Sequence, residues 1–224
     1  MTIEIFLRIS FFQIILSAIV VVMSVINFNR RGIETKLAGL TFLYGVITAI
    51  VLEIFPIKGK NVNIPQSLHA ICYLITVTIL YSVALRGKYR AFFTGATAIV
   101  LVISVVNLLF FQQNENNTYS RIAGSVIIII YGILYCYRLL VDLPVEHLQR
   151  VPMFWFNSGI LIYNAGSLFL FLFTTYLVEV LHNDLLIYWS FHNIFNIVQT
   201  VIVLIGIWQD LRNTRLLSSS PSVR

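Results

Sequence analysis

Five polar side chains interrupt an otherwise apolar run near the end of the chain: His192, Asn193, Asn196, Gln199 and Thr200. His192, Asn196 and Gln199 are offset by four and then three residues, which places them on one face of a helix. The preceding apolar run carries Asn157, Tyr163, Asn164 and Ser167, and Asn157, Asn164 and Ser167 also share a face. Amides and hydroxyls are costly in hydrocarbon, so two such stripes on consecutive helices call for a shared purpose. Either they hydrogen-bond to each other as interhelical glue, at about 0.6 kcal/mol per contact, or they line a cavity that holds water or a ligand. Midpoint counting on two antiparallel helices sets Asn164 opposite Gln199 and Ser167 opposite Asn196.

A second group gathers at one end of the apolar runs: Glu53, His69, His182 and, one turn into the last run, His192. Imidazoles and a carboxylate at one depth could hold a metal, respond to protons, or sit as ordinary interfacial side chains. No HExxH or comparable ligand spacing supports the metal, and no metal or cofactor is expected. Nucleophilic catalysis has no better basis, since no Ser, His and Asp fall at a common depth. A retinal Schiff base needs a lysine inside a helix, whereas Lys36, Lys58, Lys60 and Lys88 belong to loops or helix margins. The chain is therefore not expected to be an enzyme.

The elements that must position these residues follow from composition. Of 224 residues, 58% are apolar and 11% charged, and the mean hydropathy is +0.88. A soluble domain carries about 25% charged residues. Crossing hydrocarbon takes about 20 mostly apolar residues in helical form. Seven runs approach that length: Ile5 to Phe28, Leu37 to Phe55, Ser67 to Leu85, Ala91 to Phe111, Ile122 to Leu140, Met153 to Leu177 and Leu186 to Trp208. The expected fold is all-α, a seven-helix transmembrane bundle over residues 1–208, with the lipid bilayer as its first partner and residues 209–224 as a short tail. Gly45 and Ala49, four apart in the second run, have the spacing that lets a neighbouring helix pack closely. Cys72 and Cys136 lie in apolar runs without CxxC spacing and read as packing residues.

Basic residues give the orientation, because short cytoplasmic loops retain Lys and Arg. One side has eleven: Arg30, Arg31, Lys36, Arg86, Lys88, Arg90, Arg138, Arg150, Arg212, Arg215 and Arg224. The other side has four: Arg8, Lys58, Lys60 and Arg121. This bias puts the amino terminus outside the cell membrane and the carboxyl terminus in the cytoplasm. The same scattered placement makes the net charge of +6 a topology signal rather than a nucleic-acid surface. Asn116-Asn117-Thr118 is an acceptor triplet on the expected outer side.

The stretch from Phe154-Trp155-Phe156-Asn157-Ser158-Gly159 through Leu161-Ile162-Tyr163 to Gly166-Ser167-Leu168-Phe169 resembles the penultimate helix of small seven-helix proteins of Bacteroidota. Their last helix has an aromatic residue, a His-Asn pair and further asparagines, similar to Trp189, His192, Asn193, Asn196 and the closing Trp208. Related modules stand beside or fused to histidine kinases. The resemblance thus implies a bacterial membrane sensor that detects a small molecule or membrane condition. It signals to a separate partner such as a histidine kinase, because residues 209–224 are too few for a catalytic domain. A small transporter or channel, or a structural assembly protein, is the alternative expectation.

Overall fold

In the computed structural model of the protein, residues 3–57, 63–107, 110, 118–142, 147–175 and 185–219 are described. They contain seven α-helices and no strand: α1 Ile3–Val25, α2 Ile33–Ile57, α3 Asn63–Ala84, α4 Arg90–Val106, α5 Thr118–Asp142, α6 Pro152–Thr175 and α7 Leu185–Ser219. Six are long and apolar enough to cross a membrane, and α4 is the shorter exception at 17 residues. Helix is the form expected of such sequences, since it satisfies every interior backbone group within its own segment.

Contacts between helices arrange α1, α2, α3, α5, α6 and α7 as a closed ring in that order, and α4 leans on the seam between α3 and α5. The four buried residues of α4 explain its position. Phe93, Thr97, Val100 and Ser104 recur at intervals of four, three and four, forming one inward stripe. Its other faces are apolar and exposed, as at Ile99 and Val102, both 63% accessible. Phe11 on α1 and Phe169 on α6 likewise point outward at 67% and 62%. Large exposed apolar side chains all round the ring are what a lipid-facing surface requires, and would be an aggregation hazard in water.

Helix ends differ from the sequence expectation for identifiable reasons. The first helix stops at Val25 because Asn27 takes a left-handed conformation, with φ of 57°. At the end of α3, Arg86 and Gly87 both have positive φ, and their amides return to the carbonyls of Val83 and Ser82 at 2.9 and 2.8 Å. That is a Schellman closure, and it reverses the chain into α4. The last helix does not stop at Trp208 but runs on to Ser219, 35 residues in all. At 1.5 Å per residue it is about 52 Å long, well beyond the hydrocarbon thickness of about 30 Å.

Two devices fix the packing. Glycines allow backbones to meet: a Cβ on Gly39 of α2 would lie 2.1 Å from Ser24 Oγ of α1. On α6 and α7, Gly166 receives the Phe195 ring and Gly206 the Phe156 ring, each within 2.6 Å of where a Cβ would be. Gly45 and Ala49 play a different part from the close helix contact expected of them, for both border an internal cavity. A Cβ on Gly45 would meet nothing nearer than His69 Cε1, at 3.8 Å.

The second device is electrostatic. Arg31, between α1 and α2, is buried, and its Nη1 pairs with Asp210 Oδ2 of α7 at 3.1 Å. The same guanidinium donates to the carbonyls of Ile26, Met23 and Ile207, at 2.9, 2.7 and 3.3 Å. It therefore caps the end of α1 while holding α7. Removing one partner of such a pair leaves an uncompensated charge. Asp210→Ala is expected to destabilise the protein by roughly 3 kcal/mol, and Arg31→Met with Asp210→Leu to recover most of that loss. Unfolding titrations in mixed detergent micelles measure both.

Candidate functional site

The ring encloses two polar levels. The one farther from the start of α1 is tightly packed. Tyr81 of α3 donates to Asn157 Oδ1 of α6 at 2.7 Å, and Asn157 Nδ2 reaches Cys136 Sγ of α5 at 3.1 Å. Beside them Thr78, Thr97 and Tyr131 form a chain of hydroxyls at 2.8 and 2.9 Å, and Tyr131 donates to the Phe93 carbonyl at 2.9 Å. Rings fill the spaces between these bonds, with Phe93 and Tyr131 edge to face at 4.5 Å. Tyr81, Phe93, Tyr131 and Phe156 have no accessible surface. This level is a plug.

On the side where α1, α3, α5 and α7 begin lies a cavity of about 430 Å³. All seven helices contribute to its wall. That size falls within the range of about 300–1,000 Å³ usual for small-molecule sites.

Of the residues singled out in the sequence, Tyr163, Asn164, Ser167, His192, Asn193 and Asn196 line this cavity. Their partners differ from the expected ones. Ser167 Oγ meets His192 Nδ1 at 3.3 Å rather than Asn196, and Tyr163 Oη lies 3.4 Å from His192 Nε2. Asn164 donates to Tyr73 Oη of α3 at 3.1 Å and to the Ile160 carbonyl at 2.8 Å rather than meeting Gln199. Glycine contacts set this register. The Phe195 ring seats on Gly166 and the Phe156 ring on Gly206, which slides the two helices relative to a midpoint alignment.

Asn193 and Asn196 turn to α1. Asn193 Nδ2 donates to Ser10 Oγ at 2.8 Å, and Gln13 Nε2 donates to Asn196 Oδ1 at 2.9 Å and to Ser17 Oγ at 3.0 Å. Asn157 belongs to the plug, while Gln199 is buried behind Gly159 and does not line the cavity.

The expected outer group is gathered only in part. His69 of α3 and His192 of α7 both line the cavity. His182 and the side chain of Glu53 fall outside the described residues. Among the described residues no group of three His, Cys, Asp or Glu could hold a metal ion.

Sequence reasoning missed the residue with the strongest field. Arg121, near the start of α5, borders the cavity, donates from Nη2 to Gln66 Oε1 of α3 at 2.5 Å, and stands 5.6 Å over the rings of both Phe171 and Trp189. Its place at the edge of an apolar run marked it only as a topology signal. Gln13, Gln66 and Tyr73 gave no sequence signal, because the side chains they meet, Asn196, Arg121 and Asn164, lie far along the chain. Arg121 placed three residues into a helix, with three more helix starts alongside, was the signal available.

Comparison of the chain with protein-family models, with curated proteins and with solved structures finds no significant match to any of them. Fold and site together define an all-helical protein with apolar helices suited to a bilayer and a polar cavity in one half.

The plug yields a direct test. Tyr81→Phe gives up one hydrogen bond and is expected to cost about 1 kcal/mol, whereas Asn157→Leu strands the Tyr81 hydroxyl and costs roughly 1–3 kcal/mol. Combining the two should cost less than the sum, measured by unfolding in mixed micelles.

Proposed function

We propose that this protein is a receptor-like membrane sensor. In this reading seven helices cross the cell membrane, with the amino terminus outside, and the cavity receives a small molecule from the outer half. At about 26 Å, α4 is slightly shorter than the hydrocarbon, a mismatch that bilayers accommodate at modest cost. Occupancy alters the packing of α6 and α7, and the extended end of α7 passes that change to a partner such as a histidine kinase.

The observation that carries the reading is the pairing of a ligand-sized cavity with a packed floor. All seven helices line the cavity, and the fully buried Tyr81, Phe93, Tyr131 and Phe156 close the level beneath it. A transport pathway would need an open route through both levels, and the lower one is filled by these side chains. The biased distribution of basic residues and the resemblance of the last two helices to kinase-associated modules support the same reading.

Gly124 offers a clean test. It lines the cavity, and a Cβ placed there meets nothing within 4 Å, so Gly124→Phe fills the space without forcing the backbone. Compounds that raise the melting temperature of the detergent-solubilised protein should lose that effect in Gly124→Phe. At a hundredfold excess over Kd the stabilisation expected is about 2.7 kcal/mol. Proteoliposomes holding only this chain should not accumulate those compounds, and accumulation would overturn the sensor in favour of a transporter.

A further inference from the structure

Three features of the cavity wall concern charge. Among the described residues that line it, Arg121 is the only Lys or Arg, and there is no Asp or Glu. A guanidinium is always ionised and offers five donors in a planar fork. Among the described residues its only hydrogen-bond acceptor is Gln66 Oε1, at 2.5 Å. Two aromatic rings flank it, which screens it from lipid but supplies no counter-charge.

The second feature is His69, one turn along α3 from Gln66. Its Nδ1 is buried and has no hydrogen-bond partner, the one side-chain atom in that condition among the described residues. The ring lies against Gly45 of α2 and lines the same cavity. Buried polar atoms in native proteins are almost always paired, so this nitrogen is an exception, closed off from solvent beside the cavity.

The third feature is the gradient of polarity. Gln66, His69 and Arg121 belong to the first turns of α3 and α5. Leu74, Val100 and Ile128 make a wall continuous with the apolar core. The cavity is thus an amphipathic slot, charged at one end.

We infer that the cavity binds an organic monoanion, its oxygen headgroup held by the Arg121 guanidinium and its apolar body against Leu74, Val100 and Ile128. One cation, with no carboxylate among the described lining residues, matches a single negative charge, and a guanidinium grips a carboxylate or a phosphodiester in the same forked manner. The headgroup can come from a dissolved organic acid or from an anionic lipid. This inference rests on the sensor reading of the cavity and adds the chemistry of what fills it.

Trp189 is a built-in reporter, since its ring is one of the two beside Arg121. The chain has three tryptophans, so Trp155→Phe with Trp208→Phe leaves Trp189 alone. Benzoate is titrated against that protein in non-ionic detergent, with benzamide as the neutral isostere. In a second arm the protein is placed in nanodiscs of phosphatidylcholine with or without phosphatidylglycerol.

A saturable fluorescence change with benzoate, at least tenfold weaker with benzamide, is the expected result. Arg121→Gln should weaken benzoate at least tenfold, and Arg121→Lys should restore part of it. An Arg121-dependent change with phosphatidylglycerol alone supports the site and assigns the headgroup to the bilayer.

Benzamide binding as tightly as benzoate overturns the inference, and this comparison needs no substitution in the cavity wall. Silence from both anions, or Arg121→Gln with unchanged affinity in both arms, overturns it too. Neutral compounds that still stabilise the protein and are lost in Gly124→Phe would leave the sensor reading standing while removing the anion.

Discussion

Hydrocarbon offers a polar group nothing to bond with. This constraint explains why the described residues form helices almost throughout, with only short turns between, and why the interior of the ring pairs its side chains so completely. Hydroxyls that have no neighbour on another helix return to their own backbone, as Thr76 does to the Cys72 carbonyl at 2.8 Å. Those that do have one form cross-helix links, as Thr78, Thr97 and Tyr131 do over three helices. Against so thorough a pattern, a guanidinium with no carboxylate beside it and an imidazole nitrogen without a partner stand out among the described residues. Proteins depart from local consistency mainly at functional sites.

The two polar levels answer this constraint in opposite ways. Around Asn157 the amide, phenol and thiol use one another up, and aromatic rings occupy what space is left. Nothing in that layer is held in reserve. Around Arg121 and His192 a cavity is left between the helices, with Gly45, Ala49 and Gly124 withholding side-chain volume along its wall. Small residues thus serve two ends in one molecule: at Gly39, Gly166 and Gly206 they bring helices together, and at Gly45 and Gly124 they keep a space open. The difference depends on which neighbour the third dimension supplies.

That is why the sequence was informative about some matters and mute on others. Long apolar runs, the polar stripes of the last two helices and the helical class are all properties of local sequence, and each has its counterpart in the structure. Tyr163, Asn164, Ser167, His192, Asn193 and Asn196 do meet in one place. Their pairings depend on which helices are neighbours, and α1 packing on α7 cannot be read from either helix alone. Ser10 and Gln13 became partners of Asn193 and Asn196 for that reason. Helix length was legible only to the point where apolarity ends. Past Trp208 the residues turn polar, yet α7 persists through Asp210, whose carboxylate is anchored by Arg31.

The buried contact between Arg31 and Asp210 divides the last helix unequally. From His192 to Asp210 is about 27 Å of helix, and from Asp210 to Ser219 about 14 Å. Pinned at that point, a rigid rod behaves as a lever with its fulcrum at the ion pair. A sideways displacement beside His192 arrives at the far tip reversed in direction and cut to about half. The length of helix beyond the ion pair is thus about half the length between it and His192, and motion at the tip is correspondingly small and stiff.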